Sequence, residues 1–135
     1  MTIKKLTLLI LISFLKAYAN NPRPFNIDLK TRLVNDKKLI VNVQLTSFSK
    51  RPIDYLEGFL QIINTDNEII KEHRMVILYG YEPALYNDYS TSKSMTFSEI
   101  NEINKSFKFQ LSKMRFLEDK KVYIWVESAG FLRID

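Results

Sequence analysis

Leu39-Ile40-Val41-Asn42-Val43-Gln44-Leu45-Thr46, residues 39–46, is the stretch that decides the fold. Leu39, Val41, Val43 and Leu45 alternate with Ile40, Asn42, Gln44 and Thr46. Successive side chains of a strand point to opposite faces, so this period of two makes one face apolar and leaves the other largely wet. A helix would need its apolar residues three and four apart.

The same rhythm recurs on both sides. Phe25, Ile27 and Leu29 alternate with Asn26, Asp28 and Lys30, and Phe107, Phe109 and Leu111 alternate with Lys108, Gln110 and Ser112. Further β-rich runs cover 56–63, 68–78, 94–97, 122–126 and 131–134. Turn residues separate them: Asn35-Asp36, Ser49-Lys50-Arg51-Pro52, Asn64-Thr65-Asp66-Asn67, Glu118-Asp119 and Ala129-Gly130. Seven or eight half-apolar strands in one sheet would leave an apolar face uncovered. The expected fold is therefore all-β, a single antiparallel β-sandwich of seven or eight strands. One interruption is expected near 97–104, where Thr96-Phe97-Ser98-Glu99 fits a capping box and Ile100 and Ile103 lie three apart, the pattern of a short helical turn.

The first nineteen residues read as a cleavable export signal. Lys4 and Lys5 precede an apolar run over 6–15, and Ala17-Tyr18-Ala19 supplies the small residues of a cleavage site. That run is short of the roughly 20 residues of a membrane-spanning helix. The expectation is a leader at 1–19 and a β-sandwich domain at 20–135, periplasmic or secreted. Removing the leader takes three of the 20 basic residues and none of the 15 acids, which lowers the net charge from +5 to +2. With no basic stripe interleaved with aromatics, nucleic acid is not an expected partner. The chain has no cysteine, so no disulfide staples it and a packed core must hold it.

Two segments carry a family resemblance. Asp119-Lys120-Lys121-Val122-Tyr123-Ile124-Trp125 resembles the D-x-x-x-Y-x-C stretch at the E to F corner of immunoglobulin-like domains, with Trp125 in the cysteine's place. Over 38–111 the chain is similar to bacterial extracytoplasmic FxLYD-type domains. Leu60-Gln61-Ile62-Ile63-Asn64 stands where F-x-L-Y-D would, although each defining letter is replaced by a related one and the Pro-Gly after the next strand is missing. The resemblance implies an immunoglobulin-like sandwich with a binding or accessory role, and carries over no site.

Catalytic chemistry finds little footing. His73 is the one histidine, it sits among Lys71, Glu72 and Arg74, and it reads as an exposed strand residue. Zinc, copper and haem sites need more nitrogen or sulfur ligands than this, so no metal or cofactor is expected. No serine lies in a G-x-S-x-G elbow, and three glycines make no phosphate cradle. Asn64-Thr65-Asp66-Asn67 offers oxygens but reads as a hairpin turn rather than a calcium loop. Carboxylate pairs remain, Asp54 with Glu57 and Glu99 with Glu102, both read as ordinary exposed placements. The expectation is a non-enzyme.

The candidate site is Tyr79-Gly80-Tyr81-Glu82-Pro83-Ala84-Leu85-Tyr86-Asn87-Asp88-Tyr89-Ser90, which holds four of the seven tyrosines. Tyrosine offers a rigid apolar ring with a polar tip, a good currency for recognition. The competing reading is a cap on the sandwich, with Pro83 opening a helical turn and Tyr81, Leu85 and Tyr89 forming one buried stripe four residues apart. Tyr79 and Tyr86 would then be the exposed rings. The leading expectation is an exported, non-catalytic module of a bacterial envelope that recognises another envelope or secreted protein through Tyr79, Tyr81, Tyr86 and Tyr89 or through a sheet edge. The alternatives are a surface-fibre or secretion-assembly subunit that donates 131–134, and a carboxylate-dependent glycan hydrolase.

Overall fold

The computed structural model describes residues 23–98, 105–126 and 128–134. Eight strands follow in order: β1 (Phe25–Val34), β2 (Lys38–Ser47), β3 (Ile53–Ile63), β4 (Ile69–Leu78), β5 (Ser90–Ser98), β6 (Ser106–Phe116), β7 (Tyr123–Val126) and β8 (Gly130–Arg133). They form two antiparallel sheets, β1-β2-β5 and β4-β3-β6-β7-β8. The chain is a β-sandwich, as its alternation requires.

Segment 39–46 lies in β2, the middle strand of the smaller sheet. Val41, Val43 and Leu45 are fully buried, while Asn42 and Thr46 turn outward to bond Ser94 and Ser90 of β5 at 3.0 and 2.7 Å. Opposite them, Leu56 and Leu60 of β3, Ile77 of β4 and Met114 of β6 complete a core at 0–1% exposure. Each such aliphatic side chain contributes about 1.5–3 kcal/mol when withdrawn from water, which suits a chain with no disulfide.

Close packing shows most clearly at Gly58, midway along β3. A Cβ there would lie 2.4 Å from both the Gln110 carbonyl oxygen and Phe109 Cζ. The Phe109 ring occupies the space that any side chain at 58 would need.

The turns behave as their residues dictate. Asn35 and Asp36 adopt φ of 53° and 54° between β1 and β2, a region that asparagine and aspartate tolerate best among residues with a Cβ. The Asn64 side-chain oxygen accepts from the amides of Asp66 and Glu68 at 3.0 and 2.9 Å, closing the β3–β4 hairpin. At the expected capping box, Thr96, Phe97 and Ser98 continue β5 instead, because β2 offers them partners at Ile40, Leu39 and Lys38. The rest of that expected turn, 99–104, falls outside the described residues, as do the leader and Glu99 with Glu102. No helix occurs among the described residues.

β7 and β8 are attached differently from the other strands. β6 pairs with β3 along its whole length but with β7 only at Met114 opposite Tyr123. The β7–β8 hairpin is held by rings: Phe116 meets Tyr123 and Phe131 at 5.5 and 5.4 Å, and Trp125 meets Phe131 and Phe25 at 4.9 and 5.7 Å, all edge to face.

Candidate functional site

The Tyr-rich segment carries the chain from β4 in the larger sheet to β5 in the smaller one. It begins with a tight turn, in which the Glu82 amide donates to the Tyr79 carbonyl at 3.0 Å. The Glu82 carboxylate accepts from the Tyr79 amide at 3.2 Å and from Lys93 Nζ at 2.8 Å. The lysine bond, seconded by the Tyr79 amide, holds this carboxyl below the usual carboxylate range. Lys93 alternates onto the inner face of β5, and an inward charge on an edge strand also discourages stray pairing.

Two anchors follow. Leu85 and Ile53 exchange both backbone bonds, at 2.9 and 2.7 Å, which fixes the segment to β3. The Asp88 amide donates to the Ser47 carbonyl at 2.7 Å, and the Ser47 amide donates to the Tyr89 carbonyl at 3.0 Å, which fixes it to β2. The segment is a strap pinned to both sheets.

This geometry corrects the expected buried stripe. Of Tyr81, Leu85 and Tyr89, only Leu85 is buried, at 4% exposure; Tyr81 and Tyr89 are 84% and 69% exposed. A spacing of four aligns side chains only on a helix. Here the strap runs extended past Ile53, so Leu85 alone plugs the end of the core. Tyr79 and Tyr86 are exposed as expected, at 38% and 53%. Tyr79 and Tyr81 stack on each other with centroids 5.2 Å apart and planes 15° from parallel. Between these two residues in sequence, Gly80 is so close to Arg115 that a Cβ there would lie 2.8 Å from its Nη2. Beside the strap, Pro83, Ala84, Tyr86 and Tyr89 border a shallow, mainly apolar cleft of about 420 Å³ with Glu82 at its rim. All four tyrosines thus face solvent on one connection of fixed path.

The carboxylates also depart from expectation. Glu57 is 5% exposed rather than solvated, since its outer-face position on β3 is covered by Tyr55 and Arg74, which donate to its carboxylate. The Arg74 bond dominates and keeps Glu57 ionised below the ordinary range, against the opposing effect of burial. Asp54 accepts from Arg115 Nε at 2.8 Å. An arginine therefore pairs with each carboxylate of the Asp54 and Glu57 couple, while Glu99 and Glu102 lie outside the described residues.

His73 is half-buried rather than exposed. It shares the inward face of β4 with Met75 and Ile77, its ring lies 5.2 Å from that of Phe97, and its Nε2 is buried without a partner. Period two along the strand, not the charged flanks, would have placed it correctly. No group of three or more His, Cys, Asp or Glu residues capable of holding a metal is found among the described residues.

A second concavity went unread in the sequence. A cleft of about 510 Å³ opens between β1 and the β6–β7 part of the larger sheet, with Phe25, Ile27, Phe109, Trp125, Arg23 and Lys108 among its lining residues. Strand alternation cannot reveal it, because its walls come from β1 and from β6 and β7, which lie far apart in the sequence.

The molecule so defined is a small two-sheet β-sandwich with an aromatic strap across one end. In fold it is similar to the crystal structure of the putative ApaA protein from Bordetella pertussis, with a TM-score of 0.52 and 12% identity over 85% of this chain and 94% of that one. The X-ray structure of a Northeast Structural Genomics Consortium target gives a TM-score of 0.37 at 9% identity over 83% of each chain. No family model matches the chain. No curated protein matches it either.

Proposed function

We propose that this chain is an exported, non-catalytic binding module of a bacterial envelope, with immunoglobulin-like topology, that recognises another envelope or secreted protein through Tyr79, Tyr81, Tyr86 and Tyr89. The observation that carries this reading is the strap itself: four exposed tyrosines on a connection pinned at Ile53 and Ser47. Rings presented on a fixed path lose little entropy when a partner covers them, which is how preorganised recognition surfaces gain affinity. The arginine pairing of Asp54 and Glu57 supports a non-catalytic role.

The immunoglobulin-like assignment draws support from strand order. β1-β2-β5 facing β4-β3-β6-β7 corresponds to A-B-E facing C′-C-F-G, with β8 as an addition. The corner motif is displaced within that scheme. The Tyr123 hydroxyl does bond back, to Asp119 at 3.1 Å, but Tyr123 opens β7, one strand later than the family's corner. A fibre subunit that donates 131–134 is less favoured, since β8 is engaged by its own β7 at all four register positions.

Photo-crosslinking in the native envelope tests the binding reading. A crosslinking amino acid at position 81 is expected to trap a partner, and one at the outward position Lys30 to trap none. Equal labelling from both positions would overturn the reading. Export is tested separately by N-terminal sequencing of the mature protein, expected to start at Asn20.

A further inference from the structure

We infer that two copies of this chain pair through the open edge of β5, antiparallel about a two-fold axis at Ser94, so that their three-stranded sheets join into one. This goes beyond the binding-module reading above and does not depend on it. Three observations converge.

The first is a contrast among the sheet edges. The two sheets end on β1, β5, β4 and β8. Three of these carry devices that keep edge strands from pairing. β1 exposes Asp28, Lys30 and Arg32; β4 exposes Lys71, Glu72 and Arg74 and shifts register against β3; β8 is only four residues long. β5 runs nine residues without a proline or a shift of register against β2, and its exposed positions are Ser90, Ser92, Ser94, Thr96 and Ser98.

The second is what that edge presents. The Ser47 amide donates to the Tyr89 carbonyl, whereas the Phe48 amide donates to the Pro24 carbonyl just before β1. Odd-numbered residues of β2 therefore turn their backbone groups to β5, and even-numbered ones to β1. Thr91, Lys93, Met95 and Phe97 stand opposite the odd-numbered Leu45, Val43, Val41 and Leu39 and bond them. The amides and carbonyls of Ser90, Ser92, Ser94, Thr96 and Ser98 are left to the open edge. Among the described residues no strand other than β2 is bonded to β5.

The third is self-complementarity. A two-fold axis at Ser94 sets Ser92 opposite Thr96 and Ser90 opposite Ser98 of the second copy, with about ten backbone bonds across the seam, as many as a typical interface carries. On the inner side Lys93 meets Met95 and Thr91 meets Phe97, all half-buried positions, so no like charges are opposed. An axis at Lys93 would instead set two ammonium groups face to face. Lys93, already bonded to Glu82 at 2.8 Å, thus rejects that register and admits the one at Ser94. A contact of this kind closes on two copies and does not propagate into a fibre.

The test is sedimentation velocity of the purified protein over a concentration series, with amide hydrogen exchange followed residue by residue. A dimer is expected, with exchange at Ser92, Ser94 and Thr96 slowing as concentration rises. Ser94→Pro removes an edge amide at a position where the monomer tolerates proline, and should abolish the dimer. Ser94→Lys and Ser94→Glu, changes at an exposed position, should each raise the dimer dissociation constant by at least about tenfold while leaving the monomer folded, because like charges then meet across the axis. Mixing these two variants should restore pairing. Tyr81→Ser should leave the dimer unchanged, so that failure of this edge and failure of the strap can be told apart. A monomer throughout the series, or protection on β1, β4 or β8 instead of β5, would overturn the inference. So would lysine and glutamate variants that each still pair, or a mixture that fails to.

Discussion

Two groups of aromatic side chains divide the labour of this molecule. Phe25, Phe116, Tyr123, Trp125 and Phe131 meet edge to face at 4.9–5.7 Å and clamp the β7–β8 hairpin onto the sandwich. Tyr79, Tyr81, Tyr86 and Tyr89 stand 38–84% exposed on the strap. Ring chemistry does not separate the groups, since tyrosine occurs in both. The backbone does. On strands, alternation turns every second ring inward; on the strap, Leu85 takes the single buried position and leaves the rings outside.

The largest effect should come from the clamp. Phe116→Ala removes the ring shared by Tyr123, Phe131 and the Arg51 guanidinium 4.1 Å above it, and denaturant unfolding should register a loss of about 3–5 kcal/mol. Leu85→Ala, on the strap but inside the core, should cost about 2–4 kcal/mol. A value near zero there would mean that the strap is not pinned.

Next comes the contrast between tight and open space. Gly58→Ala must displace Phe109 or the Gln110 backbone and should cost about 1–3 kcal/mol, whereas Tyr81→Trp adds more volume in the open and should cost nothing measurable.

Acidification probes both regions more gently. Glu57 is held low chiefly by Arg74, Glu82 by Lys93, and Asp119 by the Lys121 amide and then by Arg51. Carboxyls with depressed folded-state values add stability that is fully present above their unfolded values, about 4, and is lost as pH falls through the folded ones. Unfolding midpoints should therefore decline below about pH 4, and Glu82→Gln should flatten part of that decline. A midpoint that rises on acidification would contradict the ion-pair assignments. Tyr81→Ser, like Tyr81→Trp, should change stability little, by no more than about 0.5 kcal/mol.

Three strands were legible through alternation, a local signal, and the others as β-rich runs between turns; Val41, Val43 and Leu45 lie on the face that alternation assigned. The strap was legible as a location but not in its internal order. Spacing of four aligns side chains on a helix, whereas backbone bonds from Ile53 and Ser47, distant in sequence, hold this segment extended. Leu85 was the one large aliphatic residue among the tyrosines, and that signal could have identified the plug. The charged neighbours of His73 suggest exposure, but its period of two with Met75 and Ile77 sets its half-buried place. The cleft between β1 and β6 has no local signature, since Phe25 and Ile27 meet Phe109 and Trp125 across a long stretch of sequence.

The most direct test of the division between clamp and strap is the denaturant midpoint of the triple variant Tyr81→Ser, Tyr86→Ser, Tyr89→Ser beside that of Phe116→Ala. The triple variant should unfold within about 1.5 kcal/mol of the parent, while Phe116→Ala falls well below it. A triple variant destabilised as much as Phe116→Ala would make the strap tyrosines structural and remove the basis for a recognition surface.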